Sequence, residues 1–77
     1  MNKQRRTRIE RLATMLDEIA DDFEQIRDEE QEAYDNMPEN IQESERGETV
    51  EAILFNLDEI LENLRDTYDS MQHFEDV

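Results

Sequence analysis

Cysteine and tryptophan are absent from this chain, and glycine and proline occur once each. Without cysteine there is neither a disulfide framework nor a thiolate metal site to hold a small fold together, and the redox compartment stays open. One glycine and one proline leave little turn chemistry for β-structure, so long helices are expected. Positive charge is also scarce: 8 Lys and Arg stand against 23 Asp and Glu, for a net charge of −15. No stretch approaches the ~18 apolar residues of a membrane span, and no apolar run follows the basic start as a signal peptide requires. The sequence reads as cytoplasmic.

The few cations lie mostly at one end. In residues 1–11, Lys3, Arg5, Arg6, Arg8 and Arg11 oppose only Glu10, a balance of +4 that leaves −19 for the remainder. A body so charged repels nucleic acid and anionic membranes and attracts basic protein surfaces. The cationic leader has no aromatic residue for base stacking, so direct nucleic-acid binding is not expected. Its arginines are expected to meet acids three or four residues away, and Glu75 and Asp76 near the other end of the chain. Composition alone would suggest disorder. Periodicity overrules it.

From Ile9 the apolar residues step alternately by three and four through Leu12, Leu16, Ile19, Phe23 and Ile26, with Glu30 as an exception before Ala33 and Met37. After Pro38 the rhythm returns as Val50, Ile53, Leu57, Ile60, Leu64, Thr67, Met71 and Phe74. These are the a and d positions of a heptad lettered a to g. The pattern predicts an all-α antiparallel two-helix hairpin: a helix over about 6–36, a turn over 37–44 and a helix over 45–74. Pro38 breaks the first helix, and Ser44 is the expected N-cap of the second. Gly47 would weaken that start by about 1 kcal/mol relative to Ala. One fold-back register pairs Ile9 with Phe74, Leu12 with Met71, Ile19 with Leu64, Phe23 with Ile60, Ile26 with Leu57 and Ala33 with Val50. Glu30 would then face Ile53, either fixing register or acting as a buried acid.

The flanks of that a/d seam differ. The e positions are Ala13, Ala20, Arg27 and Tyr34 on one helix and Leu54, Leu61 and Tyr68 on the other, small residues opposite large ones. The g positions, including Asp22, Glu29, Asn56 and Asn63, are mostly polar. A chain of 77 residues buries only a small core, so help from a partner is expected. The apolar edge Ala13, Ala20, Tyr34, Leu54, Leu61 and Tyr68 therefore reads as the interface of a homodimeric four-helix bundle. Phe55, at an f position, is either a second contact point or an exposed aromatic.

Chemistry has few parts here. Glu29-x-x-Glu32, Glu32-x-x-Asp35 and Glu59-x-x-Glu62 resemble the acidic helical motifs of Mg²⁺-dependent nucleotide pyrophosphohydrolases. Such spacings arise readily in so acidic a chain, and these acids lie on outer positions rather than converging. His73 has no second His or any Cys to complete a transition-metal site. Neither a phosphate-binding glycine loop nor a nucleophile with its base is present. No catalytic, metal or cofactor-binding residue is assigned, and the chain reads as non-enzymatic. The acids Asp17, Asp21, Glu24, Asp28, Asp58, Glu62, Asp66 and Asp69 form the candidate partner-binding surface, spaced about 5–6 Å apart on a helix face.

The segment Tyr34-Asp35-Asn36-Met37-Pro38-Glu39-Asn40-Ile41-Gln42-Glu43-Ser44-Glu45-Arg46-Gly47-Glu48 resembles the turn of a group of small acidic helical-hairpin proteins from phages, prophages and bacterial genomes. The resemblance implies a hairpin and a phage or mobile-element setting, and it transfers no catalytic residue. The leading functional expectation is an interaction protein binding a basic protein partner, with DNA mimicry as one form. The alternative is a structural or assembly module docking a helix on its apolar face. A third and weaker reading is a nucleotide-binding or Mg²⁺-dependent nucleotide-hydrolysing protein.

Overall fold

Asn2 opens the first helix, its side chain accepting a hydrogen bond from the Arg5 backbone N–H at 2.9 Å. The computed structural model describes residues 1–74, and α1 runs over Lys3–Asp35 without a glycine or proline to interrupt it. The asparagine cap explains why the helix starts a turn earlier than the apolar rhythm. Pro38 then sets the stop. It has extended backbone at φ −56° and ψ 148° and serves as N-cap of a one-turn helix, α2, over Glu39–Gln42.

The expected turn thus contains a helical turn of its own, tied to α1 by a bond from Gln42 Nε2 to the Tyr34 carbonyl oxygen at 2.9 Å. Ser44 caps α3, which spans Glu45–Ser70, with Glu45 and Glu48 in its first turn where the helix dipole favours acid. Gly47 has a different role from the one expected. A β-carbon at that position would overlap the Gln42 carbonyl group, so the missing side chain lets α2 and α3 pack backbone to backbone.

The long helix α1 has α3 packed along it, in a body of 59 × 15 × 11 Å. Cross-helix contacts join Tyr34 to Glu51, Arg27 to Asp58 and Asp17 to Arg65. Each step forward along α3 is a step backward along α1. No strand occurs among the described residues.

The seam differs from the expected one. The buried residues are Ala13 and Ala20 of α1, 1% and 0% exposed, and Gly47, Val50 and Leu54 of α3. Leu16, Phe23, Arg27, Glu30 and Tyr34 line the same side of α1, half-buried, with Leu57, Leu61, Leu64 and Tyr68 on α3. These are a and e positions. The d positions stay in solvent: Leu12, Ile19 and Ile26 are 51%, 46% and 50% exposed, and Ile53 and Ile60 are 41% and 40%. The expected a/d seam is therefore rotated to a/e.

Small size is the reason. Alanines at e let α3 approach closely while leucines at e on α3 supply bulk, so the a/e stripes interdigitate better than isoleucine against isoleucine. The rotation also brings the cations of one helix to the acids of the other.

Candidate functional site

With a and e turned inward, the b positions of the two helices come together along one long edge of the pair. Asp17 and Glu24 of α1 and Glu51, Asp58 and Arg65 of α3 are b residues, and each takes part in a bond across the seam. Arg65 is the hub. Its Nη1 lies 3.3 Å from Asp17 Oδ1, and its Nη2 lies 3.1 Å from Asp21 Oδ1 and 2.8 Å from Glu24 Oε2. The hydrogen bond to Asp21, ahead of the surrounding carboxylate charge, holds the guanidinium above its ordinary pKa.

Arg27 makes the second link. Its Nε lies 2.9 Å from Asp58 Oδ1 and its Nη1 3.1 Å from Asp28 Oδ1. The buried Nε–H is not aimed at Asp58, so that contact is electrostatic and not a hydrogen bond. The third link is the Tyr34 hydroxyl, which donates to Glu51 Oε1. That bond is the largest cause of a phenol pKa raised above 10.0, with desolvation and the nearby charge of Glu51 adding to it.

The candidate acidic surface therefore divides. Asp17, Asp21, Glu24, Asp28 and Asp58 belong to ion pairs within the chain. Asp69 lies 4.0 Å from His73 Nε2, a pair charged on both sides only when the imidazole is protonated. Glu62 and Asp66 are exposed and make no ion pair among the described residues. Sequence reasoning missed Arg65 and Arg27 as organisers. The signal was available: residues 12–74 hold only three cations, and two of them sit at e and b beside the seam.

The residues expected to meet a second copy are otherwise engaged. Ala13, Ala20 and Leu54 are buried inside the single chain, and Tyr34, Leu61 and Tyr68 are half-buried on the same a/e side. This edge packs the chain onto itself and leaves little for another molecule.

What remains uncovered is the opposite long edge. Since b of both helices shares one edge, d of both, lying across the seam from b on each helix, shares the other. Leu12, Ile19, Ile26, Ile53 and Ile60 are exposed there, with Met15 beside them at a g position, and Phe74 is exposed beyond the end of α3. At the α1 end of this edge, Met1, Arg5, Arg8, Ile9 and Leu12 line a recess of about 230 Å³. Phe55, 64% exposed, stands apart on an outer position.

Among the described residues, no group of three or more His, Asp or Glu side chains is placed to hold a metal ion. No helix there is long and apolar enough to cross a membrane. The expected contacts of Arg5, Arg8 and Arg11 with Glu75 and Asp76 lie outside the described residues. No protein-family model, curated protein or solved structure matches the chain.

Proposed function

We propose that this chain is a non-enzymatic interaction protein: an antiparallel helical hairpin that presents an acidic exterior to a basic protein partner and assembles with its own kind into a four-helix bundle. The observation that carries the reading is the separation of faces. Two of the three cations of the body lie at the seam, where Arg27 and Arg65 bind acids of both helices, so the outward surface is left with a large excess of carboxylate. Electrostatic steering would make encounter with a basic surface fast and strongly salt-dependent. A helix face with carboxylates about 5–6 Å apart suits a protein that otherwise grips phosphates, which makes DNA mimicry one form of the same activity. The turn resemblance supports a phage or mobile-element setting, and the composition a cytoplasmic one.

The test is capture of proteins on the immobilised chain across a salt series. Basic, DNA-binding proteins should release as salt rises, and the Glu62→Gln/Asp66→Asn/Asp69→Asn chain should retain less of them. Retention that ignores both salt and these substitutions would sink the acidic-surface reading. A second reading, an assembly module that docks a foreign helix, is favoured by the exposed d residues. It requires binding that survives high salt and fails when Ile26 and Ile60 are made polar.

A further inference from the structure

The exposed d edge has no role in the acidic-surface activity, yet it is the least ordinary feature of the molecule. The d residues Leu12, Ile19, Ile26, Ile53 and Ile60 and the adjoining g residue Met15 are each 40–52% exposed and, by their heptad positions, share one edge of the two helices. Together they leave on the order of 500 Å² of apolar surface, toward the upper end for a lone soluble protein. That area is more than half of the ~800 Å² that each partner contributes to a stable interface.

We infer that this strip is the homodimer interface and that its occupant is a second copy of the chain, with α1 of one copy lying over α3 of the other. The inference deepens the self-assembly proposed above and rests on the hairpin reading given there. Three observations carry it. The first is the size of the strip against the core behind it, whose buried apolar side chains are two alanines, a valine and a leucine. A core that small gives the single chain only modest apolar burial, and covering the d edge adds to it.

The second is charge. Residues 12–74 are crowded with carboxylates, yet none occupies a d position, and only Asp22 and Glu29 occupy the neighbouring g positions. On α3 the g edge is Thr49, Asn56, Asn63 and Ser70, all uncharged. A strongly acidic chain meets a copy of itself most readily along a margin poor in like charges, and this is the margin it has. A basic foreign helix would find few acids beside the strip to recognise.

The third is register. A two-fold axis parallel to the helices sets α1 over α3 of the second copy and lays the d rows on each other, Ile26 against Ile60 and Ala33 against Ile53. The same rotation sets Asp22 and Glu29 near Asn63 and Asn56 of the other copy, whose amide N–H groups donate to carboxylates. An axis perpendicular to the helices would instead stack α1 on α1 and leave the asparagine edge of α3 facing only itself.

Sedimentation equilibrium and thiol cross-linking test this together. At micromolar concentration the wild-type chain should have twice its 9.3 kDa mass. The I26K/I60K chain should have the single-chain mass and keep its helical circular dichroism, because d residues lie outside the a/e seam. Lysine lowers the net negative charge, so dissociation could not be blamed on added repulsion. A wild-type chain at 9.3 kDa overturns the inference. Because the chain has no native cysteine, oxidising an equal mixture of Ile26→Cys and Ile60→Cys chains should give mostly the mixed disulfide dimer. If Ile26→Cys alone cross-links as well as the mixture, the α1-over-α3 arrangement is wrong. A monomeric wild type that still captures basic proteins in a salt-sensitive way removes only the interface. A dimer that captures none leaves the interface standing and removes the acidic-surface function.

Discussion

Arg65 Nη2 on α3 lies 2.8 Å from Glu24 Oε2 on α1, and the two residues stand 41 positions apart in the chain. Three α1 carboxylates converge on this one guanidinium, so its removal both breaks the links and leaves like charges facing each other. Arg65→Ala is expected to lower the melting temperature, and Arg65→Lys to recover only part of the loss, since an ammonium cannot span three acids as a planar fork does. Because the site is partly solvated, the deficit should shrink as salt is raised. A deficit indifferent to salt would show that Arg65 acts through its aliphatic stem.

Tyr34 donates its phenol to Glu51, and the bond raises the phenol pKa above 10.0. The neutral phenol is the form the fold favours, so this contribution is complete below the ordinary tyrosine value and disappears as pH rises through the higher, folded-state value. A Tyr68→Phe chain, left with one tyrosine, should develop phenolate absorbance at higher pH when folded than in urea. Glu51→Gln removes the carboxylate charge and weakens the acceptor, and should narrow the gap. Identical folded and unfolded titrations would exclude the bond.

Gly47 separates two expectations that differ in sign. Helix propensity alone would have Gly47→Ala stabilise the chain by about 1 kcal/mol. The overlap of a β-carbon with the Gln42 carbonyl predicts instead a net loss of about 1–3 kcal/mol, read as a lower urea midpoint. A higher midpoint would show that α2 and α3 are not in close backbone contact.

Ala20 is fully buried, and the approach of α3 depends on its size. Ala20→Leu should cost about 1–3 kcal/mol by overpacking, visible in chemical denaturation. Ala33→Leu, on the exposed side of the same helix, should cost far less within the single chain.

Much of the helical content was legible in residues alone. The steps of three and four from Ile9 to Ile26 and from Val50 to Met71 mark two helices, Pro38 the break and Ser44 the cap. The choice of seam was not legible, because apolar residues occupy a, d and e on both helices, and two columns out of three suffice to pack one pair. The deciding facts are Ala13 and Ala20, whose small size was visible beside Leu54 and Leu61 but reads equally well as an edge for another molecule. Arg27 and Arg65 were legible as scarce cations, yet their partners depend on the rotation of the seam. Gly47 could not be interpreted without knowing that Gln42 lies against it, since propensity sees only its own helix.

The central claim is that Leu54 faces the neighbouring helix of its own chain while Ile53, one residue earlier, faces outward. Thiol labelling measures that difference directly in a chain with no native cysteine. In the I26K/I60K background, chosen so that the proposed second copy would not cover the d edge, a cysteine at position 53 should react at close to the rate of a free thiol. A cysteine at position 54 should be strongly protected. Equal rates, or a faster reaction at 54, would restore the a/d seam and contradict the account.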